Sequence, residues 1–144
     1  MRIRVLAIIA LAACGTSADG TIDNTHDACA PLALVSANAT TVQLAGMQGA
    51  EALWRDRGAP SLGLRAGATL EVRFEPAAPP FHGVYDDENS VIYINDDLAD
   101  ETTLSIVIAH EVGHAFGLVH VPASERPSLM NPGNLATPPT ADDQ

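Results

Sequence analysis

Five residues of the chain have the types and the spacing of a catalytic metal site. Positions 110–120 read HEVGHAFGLVH, which is the pattern H-E-x-x-H-x-x-G-x-x-H. A helix advances roughly 100° per residue, so His110 and His114 lie one turn apart on one face and can bind the same ion. Gly117 is where this helix is expected to end, because glycine adopts the left-handed conformation that reverses the chain. His120 then returns as a third ligand.

This ligand set indicates a particular metal and a particular chemistry. Three neutral imidazoles, at roughly 2.0 to 2.1 Å from the ion, suit zinc and leave a fourth position for water. We therefore expect one zinc ion at His110, His114 and His120. The open position indicates catalysis, since a structural zinc usually has four protein ligands. Glu111 follows the first ligand and can take a proton from the bound water, so we expect it to be the general base.

Hydrophobic periodicity predicts the elements that position these residues. Residues 102–116 have apolar side chains at a mainly helical spacing and predict the helix that carries the motif. A second helix is predicted over residues 41–57, although Gly46 and Gly49 weaken this prediction. Strands are predicted at residues 32–36, 69–75, 82–85 and 91–95. Residues 86–90 favour a turn, so the last two strands are expected to form a hairpin.

Composition limits the number of domains and the kinds of partner. The chain has 144 residues, with Lys+Arg 7 and Asp+Glu 18, giving a formal net charge of −11. This excludes binding to nucleic acid or anionic lipid as the main function, because those partners need a basic face. An apolar fraction of 47% allows one modest core. We expect one monomeric domain over residues 31–136, followed by a disordered tail at residues 137–144.

The first residues have the features of an export signal. Arg2 and Arg4 precede an apolar run at residues 5–13, which is too short to span a bilayer. The run ends in LAAC at residues 11–14, which resembles the lipobox of bacterial lipoproteins. The resemblance implies that residues 1–13 are removed as a signal peptide and that Cys14 is lipidated. An ordinary signal peptide with an incidental cysteine is the alternative.

Lipidation of Cys14 has consequences for the segment that follows. Residues 14–30 are expected to be a flexible tether, since they are mostly small and polar. Gly15 after the cysteine implies the outer membrane or the cell surface, with membrane contact only through the lipid. A lipidated Cys14 cannot form a disulfide, so Cys29 is expected to be a free thiol or to pair with another molecule.

The zinc motif resembles that of the metzincin clan of zinc metalloproteases. A second hallmark of that clan is a methionine turn beneath the metal, and SLMNP at residues 128–132 resembles it. The resemblance implies that Met130 forms a hydrophobic floor under the histidines. Pro132 stands where astacin-like and serralysin-like members have tyrosine, so the chain is more similar to matrixins. The implied fold is α+β and zincin-like: a small mixed sheet with an antiparallel edge strand, a zinc-binding active-site helix and the Met-turn.

The resemblance implies a zinc-dependent endopeptidase that hydrolyses peptide bonds by metal-activated water, with peptides or proteins as substrates. Substrate would lie antiparallel to the edge strand, for which residues 81–85 are the candidate. His82 lies there and is assigned no role. The alternative is a non-catalytic zinc-binding surface lipoprotein with a degenerate protease fold, because few residues follow Met130; the presence of Glu111 argues against it. A structural or adhesion lipoprotein without metal ranks last.

Acidic residues near the predicted hairpin and before the motif helix raise the question of calcium. None of them follows a full EF-hand pattern, so a solvated acidic surface is favoured over a calcium site. These residues are Asp86, Asp87, Glu88, Asp96, Asp97 and Asp100.

Overall fold

Residues 22–143 are described by the structure, which is a computed structural model, and they form a mixed α+β fold. The sheet has four strands and the fold has two α-helices. The elements, in chain order, are β1 (Leu32–Val35), α1 (Thr41–Arg55), β2 (Ala68–Glu75), β3 (Gly83–Asp86), β4 (Val91–Asn95) and α2 (Glu101–Ala115), followed by a short 3-10 helix (Ala141–Asp143). Every predicted helix and strand is present, with ends that differ by up to two residues.

The sheet is mixed, with the strand order β1-β2-β4-β3. β1, β2 and β4 are parallel, whereas β3 pairs antiparallel with β4 in a register that places Tyr85 opposite Ile92. The two inner strands bury their apolar residues most completely, as in Leu70, Val72 and Ile94. β3 lies at the edge and leaves Val84 exposed. The expected hairpin and the expected antiparallel edge strand are therefore confirmed.

Both helices begin with a side-chain cap that satisfies free backbone N–H groups. Thr40 and Gln43 form a reciprocal capping box at the start of α1. At the start of α2 the Asp100 carboxylate accepts a hydrogen bond from the Thr103 amide at 2.7 Å. The cap stabilises the start of the helix whose last two turns carry His110, Glu111 and His114.

The two helices pack closely against each other, and this contact explains two glycines that weaken the helix prediction. A Cβ added at Gly46 would lie 2.7 Å from Cβ of Leu104, and one added at Gly49 would overlap Ser105. Residues 104–113 of α2 are buried without a break. The indole Nε1 of Trp54 donates a hydrogen bond to the Ala109 carbonyl at 2.7 Å, which fixes the two helices relative to each other.

Two segments that composition assigned to flexible chain instead pack on the domain. In the expected tether, the His26 amide donates to the Ala115 carbonyl at 2.7 Å, and the Tyr85 hydroxyl donates to the Asn24 carbonyl at 2.7 Å. In the expected tail, Asp143 is only 4% exposed. The expectation of disorder is wrong for residues 22–30 and 137–143, because their polar groups find partners far away in the sequence.

The cysteine prediction also needs correction. Cys29 is disulfide-bonded, so the first of the two expectations for it, a free thiol, is wrong. That expectation depended on lipidation of Cys14, and a count of two cysteines does not decide between a lipid and a disulfide. The predicted signal peptide and Cys14 itself lie outside the described residues. Within residues 22–143 no helix is long and apolar enough to cross a membrane.

Replacing Gly49 by alanine tests the close helix contact. Alanine has the higher helix propensity by about 1 kcal/mol, but overpacking against Ser105 is expected to cost about 1–3 kcal/mol. We expect Gly49→Ala to lower the free energy of unfolding in urea. Gln48→Ala, at an exposed position of the same helix, is the control and should not lower it. Stabilisation by Gly49→Ala would contradict the packing.

Candidate metal centre

The three histidines of the motif converge because the chain reverses after α2. Gly117 has φ of +89°, and the reversal is a Schellman turn in which the Gly117 amide donates to the His114 carbonyl at 2.8 Å and the Leu118 amide donates to the Gly113 carbonyl at 2.9 Å. His120 is thereby brought back to His110 and His114, and the ligand atoms of the three rings lie within 4.8 Å of one another. The three histidines sit close enough to hold a metal ion.

Two backbone carbonyls fix the protonation of the helical histidines. Nδ1 of His110 is 2.7 Å from the Leu129 carbonyl oxygen, and Nδ1 of His114 is 2.8 Å from the Leu118 carbonyl oxygen. A carbonyl oxygen can only accept, so each Nδ1 must carry the proton. In the neutral ring Nε2 is then left with a free lone pair, which is the form that binds a metal.

The Nε2 atoms of the three histidines face one another, and too few protons are available to form a hydrogen bond between each facing pair. Nε2 of His120 lies 3.1 Å from Nε2 of His110 and 3.2 Å from Nε2 of His114. His120 can donate one N–H from this atom at most, which leaves at least one pair of nitrogens facing each other without a proton. Ligands at roughly 2.0–2.1 Å around a tetrahedral ion lie roughly 3.3–3.4 Å apart, close to this spacing. The donor set therefore fits a bound cation.

Burial keeps two of the ligands in the neutral state. It lowers the pKa of His110, although the hydrogen bond to Leu129 partly opposes the shift. It lowers the pKa of His114 to about 4, again against a smaller opposing effect from Leu118. Near neutral pH a metal ion therefore does not have to compete with a proton for the Nε2 lone pair of either ring, which favours metal binding.

Glu111 lies in the same cleft as the histidines and is only 6% exposed. Burial raises the pKa of its carboxyl group to about 8, and a hydrogen bond from the Tyr85 amide partly offsets that rise. Gly83 of β3 makes room for it, since a Cβ at that position would lie 3.2 Å from Oε1 of Glu111. A carboxyl group that changes protonation near neutral pH suits a proton-transfer role.

Met130 packs directly against the motif helix. Its side chain is 1% exposed, and its Sδ would lie 2.5 Å from a Cβ added at Gly113, between the two helical histidines in sequence. Met130 belongs to a tight turn in which the Asn131 amide donates to the Ser128 carbonyl at 3.2 Å. The role of Gly113 is visible only in the structure, because the motif places no requirement on that position.

The cleft has a volume of about 470 Å³ and contains all four predicted functional side chains of the motif. Its lining includes the edge strand and the segment before it, and also Ile22 from the segment expected to be a tether. Sequence reasoning gave no signal for Ile22 and assigned nothing to His82. Besides the motif residues, the cleft is lined by Ile22, Pro80, Phe81, His82, Gly83, Val84, Tyr85, Asp87, Val107, Gly133 and Asn134.

Two residues of the acidic set considered for calcium have local structural roles. Asp100 caps α2, and Asp86 accepts hydrogen bonds from the Asn89 amide at 3.1 Å and the Asn89 side chain at 2.8 Å. Within residues 22–143 the three histidines form the cluster with metal-holding geometry.

No protein-family model matches the chain, and comparison with curated proteins finds no significant match.

Removal of one ligand should abolish stable metal binding. After incubation with Zn²⁺ and desalting, we expect about one ion per wild-type chain and an affinity at least about a hundredfold lower for His114→Ala, since loss even of an outer partner costs ten- to hundredfold. His82→Ala is the matched control, because His82 lines the cleft but is not in the cluster. Elemental analysis and chelator competition measure both. Equal metal retention by wild type and His114→Ala would contradict the assignment.

Proposed function

We propose that the protein is a zinc-dependent endopeptidase of the metzincin type, with most similarity to matrixins. The observation that carries the proposal is the convergence of three Nε2 atoms in a cleft that also contains a buried carboxyl group. An all-imidazole ligand set is typical of zinc, and three protein ligands are typical of a catalytic rather than a structural site.

The residues of the chain divide the chemistry between them. His110, His114 and His120 would hold the zinc ion. When bound there, zinc supplies Lewis-acid chemistry, which polarises a carbonyl group and lowers the pKa of water. The positive charge of a bound ion would favour the ionised form of Glu111. Its carboxylate would accept the proton of the attacking water and then donate it to the nitrogen of the leaving amine. Because Glu111 is buried in the cleft, its carboxyl group is shielded from exchange with bulk solvent during this transfer.

The edge strand β3 supports a peptide or protein as the substrate. β4 pairs with only one side of β3. On the other side the Tyr85 amide donates to Glu111, and the remaining backbone groups could pair with an extended peptide as an additional strand. Val84 and Phe81 are among the exposed large apolar residues, at 43% and 36% exposure, and both line the cleft. An extended chain bound along β3 would therefore contact apolar side chains and pass the histidine cluster.

The turn at residues 128–132 is proposed to be the methionine turn of this class. Its support is the contact of Met130 with Gly113, which places a thioether against the backbone of the motif helix. A flexible, apolar side chain fills the space under a metal site without offering a competing charge. Pro132, rather than tyrosine, lies two residues after Met130, which favours the matrixin-like assignment.

The alternative function is a non-catalytic zinc-binding surface lipoprotein with a degenerate protease fold. Zinc binding alone would not require a buried carboxyl group in the cleft, because such a group adds a desolvation cost. The presence of Glu111 there favours the enzyme. One zinc ion per chain without hydrolysis of any peptide would instead support the alternative.

Substitution of Glu111 separates catalysis from metal binding. Glu111→Gln preserves the shape of the side chain but removes its ability to take a proton, so we expect hydrolysis to fall by roughly 10²–10⁴-fold while zinc content stays at about one per chain. Glu111→Ala should behave in the same way. Cleavage of a mixed peptide library, with and without chelator, provides the assay. Wild-type activity in Glu111→Gln would disprove the proposed mechanism.

We also propose that the protein is exported and anchored by lipid on Cys14 at the outer membrane or cell surface. The disulfide of Cys29 belongs to a chain that still carries residues 1–13, whereas the proposed lipid is added to Cys14 during export. One sulfur cannot form both bonds, so in the anchored protein Cys14 would not be the disulfide partner of Cys29. In producing cells we expect wild type and Cys29→Ser in the membrane fraction and Cys14→Ser in the soluble fraction. Mass spectrometry of the N-terminal peptide should show acyl groups on Cys14. A non-acylated Cys14 linked to Cys29 would contradict the anchor.

A further inference from the structure

A buried carboxylate far from the motif in sequence is connected to one of the histidines. Asp143 lies in the 3-10 helix that follows the site, and its side chain is 1% exposed. It accepts hydrogen bonds from the Leu129 amide at 3.1 Å and from the Thr140 amide and hydroxyl at 2.8 and 2.9 Å. The Ser128 hydroxyl donates to the other carboxylate oxygen.

The hydrogen bonds form a continuous chain that points from the carboxylate to the histidine. The hydroxyl of Ser128 donates to Asp143, and its oxygen accepts a hydrogen bond from the Met130 amide at 3.0 Å. That amide shares a peptide group with the Leu129 carbonyl, which accepts the Nδ1 proton of His110 at 2.7 Å. Each donor in the chain is polarised by the acceptor ahead of it, so the negative charge on Asp143 makes the Leu129 carbonyl a stronger acceptor.

We propose that Asp143 is a positioning and tuning residue for the metal centre, which acts on His110 through Ser128 and the Leu129–Met130 peptide group. A stronger acceptor at Nδ1 makes Nε2 of His110 a more basic ligand and holds its ring in the orientation that binds the ion. His114 has no such connection, because its Nδ1 donates to Leu118 in the Schellman turn. The two helical ligands therefore differ in strength, with His110 the stronger.

The surroundings of Asp143 keep it ionised, as this role requires. Burial alone would raise the pKa of Asp143, but hydrogen bonds from Ser128, Thr140 and Leu129 lower it overall. The guanidinium of Arg126 lies 3.7 Å from the carboxylate of Asp143, so the two side chains form an ion pair. Nη1 of Arg126 is buried and makes no hydrogen bond, so its main partner is this carboxylate.

The inference depends on the metal-binding part of the proposed function and not on hydrolysis. Two variants test it. Asp143→Asn keeps the size of the side chain and removes its charge. Ser128→Ala breaks the chain of hydrogen bonds and leaves the contact between Asp143 and the Leu129 amide in place. Asp142→Asn, at an exposed neighbouring position, is the matched control. We expect the first two variants to lower Zn²⁺ affinity about ten- to hundredfold in chelator competition and the control to leave it unchanged.

Nuclear magnetic resonance of the Nδ1 protons distinguishes this role from a purely structural one, because a structural role of Asp143 would not change the chemical shift of His110 alone. In wild type both helical histidines should give a slowly exchanging Nδ1 proton. In Asp143→Asn the His110 resonance should move upfield, as its acceptor weakens, while the His114 resonance stays in place. Equal movement of both resonances, or wild-type Zn²⁺ affinity in both variants, would overturn the proposal. If wild type binds Zn²⁺ but cleaves no peptide, the proposed enzyme fails while this inference stands.

Discussion

The site depends on two hydrogen bonds in which a histidine Nδ1 donates to a backbone carbonyl. These bonds fix which ring nitrogen carries the proton, and so they decide that Nε2 of His110 and of His114 face the same point as lone pairs. Each carbonyl must be delivered by an irregular part of the chain. Leu118 is delivered by the Schellman turn at Gly117, and Leu129 by the turn that contains Met130. The helix supplies the spacing, while these two turns supply the orientation.

The packing of α2 makes this arrangement rigid. The helix is buried over residues 104–113, and glycines at three positions let its neighbours approach the backbone. Gly46 and Gly49 on α1 allow the helices to touch, and Gly113 on α2 admits Met130. Each glycine inside a helix costs about 1 kcal/mol relative to alanine, so the close contacts must offset that cost. The motif helix is thus held on one side by α1 and on another by the turn that orients His110.

Local patterns in the sequence were sufficient for the elements and for the cluster. Helical spacing placed His110 and His114 on one face, alternation identified β2, and turn-forming residues marked the β3–β4 hairpin. Gly117 correctly predicted the reversal that returns His120. All of these depend on residues within a few positions of one another, for which spacing is a physical constraint.

Contacts between distant residues could not be predicted in the same way. Helix propensity alone counts Gly46 and Gly49 against a helix. Only their contacts with Leu104 and Ser105 explain why glycine stands there. Asp143 and Ile22 fall in segments whose composition indicates flexible chain, yet one is buried by Ser128 and Thr140 and the other lines the cleft. The prediction for Cys29 depended on whether Cys14 is lipidated, which no local pattern decides. The shared cleft of Glu111 and the three histidines supports the proposed catalytic function.

X-ray absorption at the zinc edge of the purified, zinc-loaded protein would show whether His110, His114 and His120 form an open zinc site. It reports the kind and number of atoms bound to the ion without dependence on any assay of activity. We expect three imidazole nitrogens at roughly 2.0–2.1 Å and one further light atom from solvent, which is the open coordination of a catalytic site. A sulfur ligand or a fourth imidazole would show a closed site and contradict the open zinc site formed by three histidines.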